Sequence, residues 1–179
     1  MRRFYLTIAG AAILVASFFG TSWFLEQQDL SNKTVIYPPL VRGQALSFQD
    51  GANRRVLLSG WSGPESWGVW SDGTEAKLGF VVSGLTGKTA KIVISGGPFI
   101  IAGKLPQQKI EVWSSNIKLA DIVLTTGTKE FSVPLNVANG DTVVLRLLLP
   151  NATAPKDLQI GNIDTRKLAF AITSIRMDE

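Results

Sequence analysis

From Ala76 to Ser83 the chain alternates: Ala76, Leu78, Phe80 and Val82 are apolar, and Lys77, Gly79, Val81 and Ser83 fall between and after them. A period of two is that of a strand with one buried face. Runs of the same character recur at 55–59, 91–95, 108–113, 118–125, 129–135, 142–149 and 168–177. Gly96-Gly97-Pro98, Thr126-Gly127-Thr128 and Asn139-Gly140-Asp141 punctuate them as turns. About eight strands, spaced by turn signals every ten to fifteen residues or so, with no amphipathic helix after residue 30, predict an all-β fold. The specific expectation is an antiparallel β-sandwich of jelly-roll type over residues 41–179.

Ahead of that region the pattern is different. Residues 4–25 are uncharged and mostly apolar, preceded by Arg2-Arg3 and ended by Glu26. As a helix such a stretch reaches roughly 33 Å, the thickness of a bilayer's hydrocarbon core. The arginines orient it with the rest of the chain exported, which predicts a single transmembrane signal anchor over 1–25. The alternative is a cleaved signal peptide, for which Gly20-Thr21-Ser22 offers small residues; the apolar run is long for that role and shows no Ala-x-Ala site. Residues 26–40, polar and then closed by Tyr37-Pro38-Pro39, read as a spacer that stiffens at its end. The expected setting is the bacterial inner membrane with the C-terminal domain extracytoplasmic.

Composition then removes several function classes. The sequence has 18 Lys and Arg against 14 Asp and Glu; with Arg2 and Arg3 assigned to the anchor, the exported part has 16 against 14, a net of +2. No basic run is interleaved with aromatics, so nucleic acid is not an expected partner. The chain has no cysteine and no histidine. Disulfides, a lipid anchor on cysteine, a His-activated nucleophile and the usual zinc sites are thereby excluded, and no acidic cluster has calcium-loop spacing. Neither a metal nor any other cofactor is expected. Ser95-Gly96-Gly97-Pro98 lacks the lysine and the following helix of a phosphate loop.

The chemistry that remains is aromatic. Three of the five tryptophans fall in the run Gly60-Trp61-Ser62-Gly63-Pro64-Glu65-Ser66-Trp67-Gly68-Val69-Trp70-Ser71-Asp72-Gly73. Trp70, just ahead of a turn, is expected to be structural, a plug for the core. Trp61 and Trp67 flank the Gly63-Pro64 turn and read equally well as core or as a platform for a flat ligand. Trp113 shares a strand face with Lys109 and Glu111, so alternation places it outward, where it is a candidate for stacking on a sugar ring. Glu65, Lys109 and Asn116 are the polar groups expected to orient such a ligand. Glu65 with Asp164 admits the reading of a paired-carboxylate glycosidase. The preferred reading is a structural latch in which Arg166 joins Glu65 or Asp164 in a forked pair, tying the tryptophan loop to the approach to the last strand.

Pro64-Glu65, the run 68–73 and the strand after it, then Leu148-Leu149-Pro150-Asn151, Pro155 and Asp164-Thr165-Arg166-Lys167-Leu168, resemble an uncharacterised β-sandwich module of bacterial envelope proteins. That module is found appended to membrane glycosyltransferases and phosphoglycerol-transferase-like proteins, and also alone. The resemblance covers roughly 45–177, with Ala169 where the module usually has glycine and Trp113-Ser114-Ser115-Asn116 in place of a tighter hairpin. It implies architecture and an envelope setting rather than an activity. Together these readings predict a non-catalytic, membrane-anchored sandwich that contacts envelope or exported polysaccharide. The alternative is a module that docks on a membrane glycosyltransferase or a polysaccharide secretion complex.

Overall fold

A computed structural model of the chain describes residues 36–179. The expected anchor, and most of the expected spacer, lie outside them. Residues Tyr37–Glu179 form one compact unit, and no helix among the described residues is long and apolar enough to cross a membrane.

The unit is two six-stranded sheets. The first contains β1 (Pro39–Val41), β3 (Leu57–Ser59), β6 (Glu75–Ser83), β8 (Gln108–Ser114), β9 (Ile117–Leu124) and β11 (Thr142–Leu148). The second contains β2 (Ala45–Ser47), β4 (Trp61–Glu65), β5 (Gly68–Ser71), β7 (Thr89–Pro98), β10 (Glu130–Asn136) and β12 (Phe170–Asp178). Their orders are β1-β6-β11-β8-β9, with β3 also on β6, and β10-β7-β12-β5-β4, with β2 also on β12. The chain passes back and forth between the sheets, so neighbouring strands are mostly distant in sequence. Every pairing is antiparallel except one: β1 runs parallel to β6, which departs from the antiparallel expectation.

The alternating runs account for the core. Ala76, Leu78, Phe80 and Val82 of β6 and Val143, Leu145 and Leu147 of β11 face Ile92 and Ile94 of β7 and Phe170, Ile172 and Ile175 of β12, all buried. Each inward side chain on a two-residue period removes roughly 1.5–3 kcal/mol worth of apolar surface from water, which is why the period survives over long strands. The expected end of the spacer is different from a spacer: Pro39 and Leu40 belong to β1, and Leu40 is fully buried. Tyr37 lies against Gly79 of β6, where a Cβ would come within 2.5 Å of its ring.

Candidate functional site

The β4–β5 hairpin holds the tryptophan run. β4 joins β5 with an irregularity between Trp61 and Pro64, and β5 joins β12 through Trp70 opposite Ala171 and Val69 opposite Ile172. Val69 is in the core, so its neighbour Trp70 points the other way. The expected core plug is therefore corrected: Trp70 stands on the outer face of the second sheet, half-buried, because β5 takes its phase from Val69. Trp70 is the middle of an aromatic trio. Its ring meets Trp67 edge-on at 5.6 Å and 83° and Phe99 edge-on at 6.1 Å and 88°, the geometry that aromatic quadrupoles favour. Trp67, in the hairpin turn, is 40% exposed.

Trp61 takes the other branch of its two readings. It packs against the core, and its indole N–H donates to the Lys77 carbonyl at 2.9 Å. The turn that carries Trp67 hugs the last strand: a Cβ on Gly68 would lie 2.5 Å from the Ile172 carbonyl oxygen, so only glycine fits there. Phe99 follows β7, and its backbone is fixed twice. Its N–H donates to the Ala169 carbonyl at 2.8 Å, and its own carbonyl accepts the Gln108 amide at 2.8 Å.

Beside Trp70 the sheet carries only small residues, of which Ala171 is covered at 1% exposed and Gly97 is partly open. Trp70, Ala171 and Gly97 are directly opposite one another on three adjacent strands, and a Cβ at Gly97 would meet nothing within 4 Å. The result is a shallow shelf over Gly97, beside the aromatic rings that stand near the covered Ala171.

Polar groups rim the shelf. Arg166 forks onto Asp164, with Nη2–Oδ2 at 2.6 Å and Nε–Oδ2 at 3.0 Å, and Asp164 also accepts the Arg166 backbone N–H at 2.9 Å. Those hydrogen bonds hold the Asp164 carboxyl below the usual carboxylate range and push the Arg166 guanidinium up. Glu65 is farther off, 3.7 Å from Arg166 Nη1, and all three side chains are a quarter to a third exposed. The expected latch is thus real only in part. Arg166 is held mainly by its near neighbour, whose carboxylate is already placed by the backbone hydrogen bond, and Glu65 adds only the longer contact at 3.7 Å.

The firmer tie between the two motifs lies elsewhere. Ser71, 1% exposed, accepts with its hydroxyl oxygen the N–H groups of Ala169 at 3.2 Å and Phe170 at 3.1 Å. Asp72 accepts the Lys167 N–H at 3.2 Å, and the Gly73 N–H donates to the Lys167 carbonyl at 3.0 Å. Trp-Ser-Asp-Gly marks this position in the sequence only as a turn. Lys104 completes the end by donating to the carbonyls of Leu158 and Gln159.

The other candidates are not in this group. Trp113, Lys109 and Asn116 belong to β8 and the β8–β9 turn of the first sheet. Trp113 does point outward, half-buried, with its N–H directed at Glu111 at 3.4 Å. Lys118 and Arg146 lie 5.8 Å and 5.6 Å from its ring centroid, so cations occupy the surroundings of the ring. Lys109 and Asn116 are exposed on either side of it along the chain. A cleft of about 440 Å³ opens beyond that turn, lined by Ser115, Ile117, Asn136 and Thr142 among others. Among the described residues no group of three acidic side chains converges as a metal site would require.

No protein-family model matches the chain, and no curated protein matches it. Among solved structures it is similar to the CBM36-1 domain of a multidomain xylanase from the hindgut metagenome of Trinervitermes trinervoides, at 8% identity and TM-score 0.42, over 75% of this chain and 94% of that one. It is similar to a family 35 carbohydrate binding module from an environmental isolate, at 14% identity and TM-score 0.39, over 82% of this chain and 88% of that one. A third is CBM51 from Clostridium perfringens GH95 in complex with methyl-galactose, at 15% identity and TM-score 0.33, over 78% and 93%. No residue of the shelf is carried over from them. The envelope module of the sequence resemblance finds no counterpart in these comparisons.

Proposed function

We propose that the domain is a non-catalytic carbohydrate-binding module that holds a saccharide on the Trp67–Trp70–Phe99 shelf. The observation that carries this reading is the exposed Trp67 ring, braced edge-on by Trp70, with open space above Gly97 two strands away. The C–H face of a pyranose packs on an indole, and the partly free Glu65 carboxylate and the Arg166 edge are within reach to fix hydroxyls. Together with residues 4–25 as a retained anchor, this gives a membrane-tethered, extracytoplasmic module working on envelope or exported polysaccharide.

Affinity electrophoresis against a panel of extracellular polysaccharides tests it. Retardation by at least one glycan is expected, and Trp67→Ala should weaken it about fivefold, the equivalent of roughly 1 kcal/mol per stacked ring. Gly97→Leu, whose side chain would enter open space, should block the shelf without unfolding the protein. No retardation by any glycan, or retardation of both variants equal to that of the wild type, removes the reading. Carbonate extraction followed by N-terminal sequencing tests the anchor; a soluble product beginning near Trp23 would show cleavage instead.

One observation favours a second reading, docking onto a membrane glycosyltransferase or secretion complex: Ile163, next to Asp164, is 91% exposed. Ile163→Ser separates the two, since it leaves glycan retardation intact and weakens only protein capture.

A further inference from the structure

The outer face of the first sheet carries a charge arrangement that the shelf does not use. Lys77, Arg146, Trp113 and Lys118 are directly opposite one another in a single transverse row, from β6 through β11 and β8 to β9. Opposed residues on antiparallel strands share a face, so Lys77 and Arg146 are like charges side by side, a pairing that destabilises a sheet. Lys77 is relieved by Glu75 at 3.1 Å, and Lys118 by Asp121 at 2.6 Å and Glu111 at 3.3 Å. Arg146 has no such relief. Among the described residues it has no carboxylate partner, and its buried Nε makes no hydrogen bond within the protein. Its guanidinium is nevertheless held in place, with Cζ 5.6 Å from the Trp113 ring centroid. With Nε closed off from solvent, a guanidinium set against an aromatic ring still offers its two Nη groups end-on to a planar, bidentate acceptor.

The geometry points to Arg146 as the binding site for the carboxylate of an acidic saccharide, a uronate residue gripped at the guanidinium with Lys77 beside it. The neighbouring charges select this class. Glu75, Glu111 and Asp121 stand on the same face, so a dense polyanion such as nucleic acid or an anionic bilayer meets repulsion on both sides of Arg146. A polyuronate carries one carboxylate per sugar, more sparsely than duplex DNA with a charge about every 1.7 Å of axis, so one carboxylate can meet the unmatched cation with less of that repulsion. This site is on the opposite sheet from the Trp67 shelf and does not rest on that reading.

Full-length protein titrated with a short oligogalacturonide, a neutral cello-oligosaccharide of equal length, inorganic phosphate and phosphatidylglycerol vesicles tests the assignment, with the Trp113 indole N–H resonance as the reporter. The oligogalacturonide alone should move that resonance, saturably and less strongly in high salt. Arg146→Gln should weaken its binding by roughly tenfold or more, the usual worth of a charged hydrogen bond, whereas Trp67→Ala should leave it unchanged. Because Arg146→Gln relieves the contact with Lys77, its melting temperature should stay close to wild type. Unchanged binding in Arg146→Gln, an equal response to phosphate or vesicles, or a melting temperature far below wild type each overturns the assignment. If the variant does not fold, a Trp113 resonance unmoved by the oligogalacturonide in the wild type overturns it equally.

Discussion

Trp70 and Trp113 both point away from the core, one in the middle of β5 and the other near the end of β8, and their surroundings differ completely. Around Trp113 the neighbouring strands present Arg146 and Lys118, and the ring becomes part of a charged surface network. Around Trp70 the neighbouring strand presents Ala171, and the one beyond it Gly97, so aromatic contacts reach Trp67 and Phe99 unobstructed. Alternation decides that a side chain leaves the core. What it meets outside is decided largely by residues on other strands, such as Arg146 for Trp113 and Ala171 for Trp70, tens of positions away in sequence.

The largest expected effect breaks the Trp67 end and spares the other. Ser71→Ala leaves the Ala169 and Phe170 N–H groups buried without a partner, which should cost about 3 kcal/mol in denaturant unfolding and disorder the trio. Near-ultraviolet circular dichroism from the edge-on tryptophans should fall with it; unchanged stability would mean that Ser71 is not the tie. Next comes Trp113→Ala, expected to cost about 1–2 kcal/mol through lost packing and cation contacts while leaving neutral-glycan retardation at the shelf intact. Loss of that retardation would show that the two tryptophans are coupled.

Arg166→Ala should cost only about 1 kcal/mol, since the Arg166–Asp164 pair is a third exposed and screened by solvent. Smallest is the acid effect. Asp164 is held below its ordinary value when folded, so its contribution is present above the unfolded carboxylate range and is lost as pH falls through the lowered folded value. Unfolding free energies of wild type and Asp164→Asn should therefore differ most near neutral pH, and the gap should narrow as pH falls below the ordinary carboxylate range. A gap that persists in acid would assign the difference to something other than this carboxylate.

The long strands were legible because their inward positions repeat often enough to define a phase: β6 to β12 all overlap runs that the sequence marks, although β7 continues through Gly96-Gly97-Pro98, which the sequence reads as a turn. β4 and β5 were not. β4 contains Gly63-Pro64 and an irregular register, and β5 has four residues, too few for alternation to say whether Val69 or Trp70 faces inward. The phase is set by pairing to β12, which no local pattern reveals. β1 was hidden for a related reason, since three residues closed by prolines look the same in a spacer as in an edge strand. The candidate site was legible as a tryptophan loop near Arg166. Phe99 was not, because it reaches Trp70 only through the register that brings Pro98 opposite Phe170. Ser71 was read as a turn residue, because burial of a serine hydroxyl depends on partners nearly a hundred positions further along.

The central position of β12 in the second sheet governs how the chain reaches its fold in time. It follows every other strand of the two sheets along the chain, yet it pairs with β2, β5 and β7. Until it arrives, β7 and the β4–β5 hairpin have no shared neighbour, and their open edges and apolar faces stay available to other chains. Closure of this sheet therefore waits for all the strands before β12, by way of contacts of long sequence separation that form slowly. Loss of the final strand would remove the seam on which one whole layer is assembled.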